Sequence, residues 1–201
     1  MPAVSFVRAR ILCITLREGS VGHAVLDGFG VAERSFFTRR LDHLRPRARY
    51  QAIVRLLCDS CRRFRPASVV LGLPGCPHAA RRTLAQRLAR RAARLHVSVT
   101  IRHLRDAASL LVERVRVGVV GEVIDNLAKH FAPDLSSYLA RTRASPQYWR
   151  VAWYALAIAL SVLVERHPIE AAALAQPGAF RLPAFRAALD RSLRKVFAPQ
   201  V

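Results

Sequence analysis

The run ASVVLGLP, residues 67–74, constrains the fold more than any other stretch. It is short, continuously apolar rather than alternating, and closed by glycine and proline, which predicts a central strand buried on both faces. Such a strand needs helices above and below it, and its neighbours in sequence supply them. Residues 48–64, ARYQAIVRLLCDSCRRF, repeat apolar positions at helical spacing through Ile53, Leu56, Leu57 and Phe64, and Arg65-Pro66 ends the repeat. Residues 78–95, HAARRTLAQRLARRAARL, put Leu84, Leu88, Ala92 and Leu95 on one side of a second helix. Arg87, Arg90, Arg91 and Arg94 fall on a neighbouring and opposite arc, a basic stripe on an anchored helix. HVSVTIRHL, 96–104, alternates Val97, Val99 and Ile101 as the next strand, and a right-handed crossover sets it parallel to 67–74.

Upstream lie three extended segments, ARILCITL (9–16), VGHAVLDG (21–28) and VAERSFFTR (31–39). Their short connections carry Gly19, Gly22, Gly28 and Gly30, which suits a meander of antiparallel hairpins. Downstream the pattern is helical over 106–117, 119–131 and, after a polar break, 147–166. Beyond Pro168 come a short helix and the basic amphipathic stretch 181–197, with Phe185, Leu189, Leu193 and Phe197 on its apolar stripe. The order β-β-β-α-β-α-β followed by helices predicts an α/β fold: a mixed five-stranded sheet flanked by helices. A main domain over 1–167 is expected to carry a helical basic C-terminal extension over 168–201.

Charge narrows the partner. The 201 residues hold 33 basic and 13 acidic side chains, a formal net charge of +20. Only Lys129 and Lys195 are lysine, so 31 of the basic residues are arginine. GC-rich coding accounts for arginine in place of lysine but not for the shortage of acids, so a polyanion is expected, with nucleic acid the first candidate. The longest apolar run, VAWYALAIALSVLV (151–164), has 14 residues, short of the ~20 that cross a bilayer. Arg8 and Arg10 interrupt the N-terminal apolar residues before they reach signal-peptide length. A soluble protein, cytoplasmic or otherwise intracellular and without a membrane partner, is the expectation.

Four cysteines raise the question of zinc through Cys58, Cys61, Cys76 and His78. The spacing is not that of a finger, and a whole strand separates the first pair from Cys76, so reduced thiols are expected. The seven histidines show no HExxH spacing, and Ser20 and Ser109 lack a nucleophile-elbow context. VLGLPG lacks the lysine and hydroxyl residue of a phosphate loop. His23, alone on a strand, reads as structural.

In this order the segments resemble the RNase H-like superfamily, and within it the RuvC-type Holliday-junction resolvases and their YqgF-type relatives. ITLREGSVGHAVLD is similar to the family's first hairpin, RPASVVLGLP to its fourth strand, VGVVGEVIDNLAKHF to the segment that follows the next helix-strand unit, and AWYALAIAL to its last helix. The resemblance spans residues 9–166. It implies a two-metal nuclease in which about four carboxylates hold Mg²⁺ or Mn²⁺, because hard cations need anionic oxygen ligands. At the corresponding positions this chain has Thr15, Gly72, Val151 and Tyr154. By the resemblance all four acids are lost, and no cofactor is expected unless other acids stand in. Glu18, Asp27, Asp106 and Glu122 are the stand-ins a relocated metal site would need; Asp27 and Asp106 are equally explained as a turn cap and a helix cap.

Three functions follow as expectations. The first is a degenerate resolvase-like protein that binds structured or branched nucleic acid, DNA favoured, without cutting it. Its candidate contacts are Arg39, Arg40, Arg45, Arg47 and Arg49 before and within the first helix, and Arg81, Arg82, Arg87, Arg90, Arg91 and Arg94 on the second. The second is a protein-interaction scaffold of a nucleic-acid-processing or ribonucleoprotein assembly, docking through the C-terminal helices and the aromatics Tyr148, Trp149, Trp153 and Tyr154, for which core packing is the favoured alternative. The third is a metal-dependent junction endonuclease with relocated acids. A homodimer is implied by the resemblance alone.

Overall fold

Strand β5 (Ser68–Leu73) is buried at all of its residues, as a strand covered on both faces must be. The structure, a computed structural model, describes residues 10–28, 30–31, 35–75, 79–115, 122–127 and 146–168. Strand β1 (Arg10–Arg17) lies parallel beside β5, and β6 (Ser98–His103) lies parallel on its other side. Strand β2 (Ser20–Asp27) returns antiparallel along β1, and its outer edge takes both β3 (Gly30–Val31) and β4 (Phe37–Arg40). Six strand segments thus fill five positions of one mixed sheet.

The expected single third strand, 31–39, is divided. At the break the buried Ser35 pairs through its side chain, its Oγ accepting from Val25 N and donating to Val25 O at 3.3 Å each. A hydroxyl there takes the place of a backbone ladder bond, and regular pairing resumes only at Phe37.

Two layers of helix cover the sheet. Helices α1 (Pro46–Phe64) and α2 (Ala79–Ala93) lie on one face, packed on Leu12, Ile14, Leu16, Val69, Leu71 and Leu73. Helices α3 (Leu104–Val115) and α4 (Pro146–Arg166), with a short helical segment at 123–127, meet Ile11, Cys13, Ala24, Leu26 and Val70 on the other. Odd and even residues of β1 go to opposite layers, the period-two alternation of a strand. Helix α1 opens at Pro46, whose fixed φ suits the first turn. It closes at Arg65, in the left-handed region at φ 45°, whose N–H bonds Cys61 O before Pro66.

The apolar stripe of α2 is Ala85, Leu88 and Ala92; Leu84 is half-buried, and Leu95 lies past the helix end and is exposed, unlike the expected core face. Ile101 is exposed for a related reason, since β6 forms the edge of the sheet. Helix α4 is buried at every residue from Val151 to Val164 except the half-buried Tyr154. Trp153 packs edge-to-face on Phe36 at 4.7 Å between ring centroids, which makes it core. No helix among the described residues is long and apolar enough to cross a membrane. The expected extension beyond Pro168 lies outside the described residues, as do Cys76, His78 and the side chains of Tyr148 and Trp149.

Candidate functional site

Strand register aligns Thr38, Gly22, Thr15, Gly72 and Arg102 as successive partners across the whole sheet. Every member of this row meets α4. Thr38 Oγ1 accepts from Ala152 N at 3.2 Å, and Thr15 Oγ1 donates to Val151 O at 2.9 Å. At the far end Arg102 pairs with Glu165 and donates to Ser161 Oγ. Next to Glu165, Arg166 donates to Ser68 Oγ at the start of β5 at 2.9 Å.

The two glycines let the helix come this close. A Cβ on Gly22 would lie 1.9 Å from Val151 O and 2.5 Å from Thr15 Oγ1. One on Gly72 would lie 2.5 Å from Thr15 Cγ2 and 2.6 Å from Ile158 Cδ1. Neither position has room for a side chain, because helix backbone and neighbouring side chains already fill the space.

Three of the four positions that the resemblance aligned with acids, Thr15, Gly72 and Val151, therefore converge on one buried spot; the fourth, Tyr154, is half-buried beside it on α4. Thr15 links the other two, as the strand partner of Gly72 and the hydrogen-bond partner of Val151. Their chemistry is neutral, however. A threonine hydroxyl and a peptide carbonyl, already bonded to each other, supply no anionic oxygen for a divalent cation. The residues present do not fit a metal pair.

The stand-in acids are dispersed. Glu18, in the turn after β1, is highly exposed and lies 3.6 Å from Arg81. Asp27 is paired with Arg10 at 3.1 Å, with its Oδ1 buried and unbonded among the described residues. It stands five residues along the strand from the Thr15–Gly22 pair, roughly 16 Å at strand rise. Among the described residues it serves as an ion pair across the hairpin. Asp106 sits in the first turn of α3, two residues after its start, and Glu122 is exposed. Among the described residues no three of His, Cys, Asp and Glu gather as a metal site would require. Cys58 and Cys61 are free and half-buried, and burial, with the neighbouring Cys58, pushes the Cys61 thiol up to about 11.

His23 is a buried connector. Its Nδ1–H donates to the Ser35 carbonyl, which leaves Nε2 to accept the Ser60 hydroxyl at 2.8 Å. The ring stacks on Phe37 at 4.4 Å. Burial lowers its pKa to about 4, with Arg63 acting in the same direction against the opposing Ser35 bond. The neutral ring satisfies both neighbours, so it ties β2 to α1 rather than serving as a base.

On the opposite face, α1 and α2 enclose an open groove of about 520 Å³. Arg87, Arg90, Arg91 and Arg94 of the expected basic stripe line it, joined by Arg55, Tyr50, Gln51 and Val54 from α1. The sequence reading missed Arg55 and Tyr50, although positions 50, 51, 54 and 55 form a stripe at helical spacing. The other candidates do not join this groove. Arg49 is bonded to the carbonyls of Leu41, Asp42 and Leu44, and Arg81 is held near Glu18. Arg45, Arg47 and Arg82 are exposed on the two helices' outer and N-terminal parts, and Arg39 and Arg40 are exposed on β4.

No protein-family model matches the chain, and no curated protein matches it in sequence. Solved structures do. The chain is similar to Thermus thermophilus RuvC at 16% identity and a TM-score of 0.50, over 78% of this chain and 95% of that one. It is similar to T. thermophilus RuvC in complex with Holliday junction substrate at 14% identity and a TM-score of 0.51, over 80% of this chain and 97% of that one. At this identity the likeness establishes the fold alone, an RNase H-like topology shared with these two structures.

Proposed function

We propose that this chain is a catalytically degenerate RuvC-like protein that binds structured or branched nucleic acid, DNA favoured, without cutting it. One observation carries the loss of cutting: the positions where carboxylates would converge are Thr15, Gly72 and Val151, buried between the sheet and α4, with the Thr15 hydroxyl bonded to the Val151 carbonyl. A formal net charge of +20 and the arginines of α1 and α2 support binding, since phosphate contacts made by a surface are independent of a metal site beneath it. An intracellular location, a homodimer and protein partners reached through the residues after Pro168 belong to the same reading.

The test is a titration of labelled four-way junction, duplex DNA, single-stranded DNA and a structured RNA, each with and without Mn²⁺. The expected result is salt-dependent binding with intact substrate; neutralising ~6 phosphates gives log K a slope near −5 against log salt. Cleavage that survives purification controls overturns the reading. Absence of binding at moderate salt turns the interpretation to a protein-interaction scaffold.

A further inference from the structure

Tyr50 lines two cavities at once. On one side is the arginine groove, whose lining includes no Asp or Glu. On the other is a cavity of about 380 Å³ between the start of α1, the start of α2 and the β1–β2 turn. Leu16, Val21, Leu41, Ile53 and Leu84 give this second cavity apolar walls. Its lining also includes Arg17, Arg49 and Arg81, and its single acid, Glu18, lies beside Arg81. An apolar cavity bordered by cations thus adjoins a cation-lined channel, with an aromatic ring between them.

We propose that this pair of cavities binds single-stranded nucleic acid, with phosphates along the arginine groove and one unstacked base in the adjoining cavity against Tyr50. The proposal rests on the nucleic-acid reading above and assigns it a place: the sheet face opposite the closed row under α4. Arg87 to Arg94 span seven residues, about 10 Å of helix axis, a length that takes successive phosphates of one strand rather than a lone ion. Guanidinium forks suit phosphate oxygens in bidentate fashion, and α2 presents three of them, with Arg94 just past its end and Arg55 facing from α1. The apolar cavity selects single strand over duplex, because a paired base keeps its faces stacked and its edge occupied. Binding by stacking on Tyr50 carries no base-pair readout, so modest sequence preference is expected.

The experiment uses the full chain, with fluorescence anisotropy on labelled oligothymidylate, matched duplex and, as competitors, inorganic phosphate and a nucleoside monophosphate. The R87E/R91E double variant is expected to weaken oligothymidylate binding by about tenfold or more. R105E, an equal reversal per site at the exposed Arg105 of α3, is expected to stay within about twofold. Tyr50→Ala is expected to lose about fivefold or more, with Tyr50→Phe restoring most of it. Because Tyr50 is half-buried, a second readout is independent of its substitution: photocrosslinking from 5-iodouracil in the wild-type complex, mapped by mass spectrometry, is expected at Tyr50. If the wild type binds no nucleic acid in any form, the broader reading and this one fall together. If it binds but R87E/R91E behaves like R105E, or the crosslinks map away from Tyr50, this inference alone is overturned. Competition by phosphate or the monophosphate at concentrations matching the strand's own affinity overturns the strand assignment.

Discussion

The two faces of the sheet have gone in opposite directions. Under α4 the row from Thr38 to Arg102 is closed, and polar groups there are bonded within the protein. Under α1 and α2 the core is apolar, but the outer helix surfaces form an open, arginine-lined groove. The contrast teaches that the α4 face is packed shut and not merely uncharged. Gly22 and Gly72 admit the backbone and side chains of α4 into the space, so this row of the sheet is part of the core. Charge that could address phosphate is concentrated on the other side.

The comparison breaks most easily at Gly22. A methyl there must displace a helix backbone carbonyl rather than a flexible side chain, so Gly22→Ala is expected to cost about 4 kcal/mol or more, above the usual range for overpacking. Chemical denaturation checks this; a loss under about 1 kcal/mol would mean that α4 does not press on the sheet.

Restoring an acid sharpens the same point. Thr15→Asp puts a carboxylate against the Val151 carbonyl in a buried site and is expected to cost about 3 kcal/mol at neutral pH. That site raises the carboxyl pKa, so the deficit relative to wild type should shrink as pH falls and the protonated acid can donate to Val151 O. Thr15→Val, which removes only the hydrogen bond, should cost about 1 kcal/mol, and neither variant should gain Mn²⁺-dependent cleavage.

His23 tests the α1 side. Its folded pKa is lowered to about 4, below the ordinary value of 6.5, so the fold favours the neutral ring. The sign follows: this contribution is complete above about pH 6.5 and is lost as pH falls towards 4, by up to roughly 3 kcal/mol. Urea unfolding at pH 7 and pH 4.5 should show a steeper acid loss for wild type than for His23→Gln. Equal slopes would show that the imidazole takes up its proton without breaking the Ser60 and Ser35 bonds.

The smallest effect is expected in the groove. Arg90→Gln removes one exposed guanidinium from among like charges and should change stability by no more than about 0.5 kcal/mol, towards greater stability. A large destabilisation would make the arginines part of the architecture rather than a charged surface. Together these four substitution sites rank the α4 row as structure and the groove as surface.

Much of this arrangement was legible in the residues. The apolar run at 67–74 announces a strand covered on both faces, and that requirement nearly dictates the layers around it. Helical periodicity picks out Ile53, Leu57, Leu88 and Ala92 as core and Arg87, Arg90, Arg91 and Arg94 as surface, because repeat spacing fixes which side chains share a face. Periodicity failed at Leu95 and Ile101, where a helix end and a sheet edge remove the neighbours that would have covered them. It failed again in 31–39, where the Ser35 hydroxyl substitutes for a ladder bond.

The sequence by itself determined the order of strands and helices, the buried centre of the sheet and the absence of carboxylates at Thr15 and Gly72, since these depend on local pattern and residue identity. Only the tertiary structure decided what became of those positions. Thr15 and Val151 are 136 residues apart, and Arg55 and Tyr50 meet the α2 arginines from a different helix. Local pattern says which face of an element is buried, but helix packing on the twisted sheet selects the partner that buries it. That selection closed one face over the row at Gly22, Thr15 and Gly72 and left the other open and positively charged.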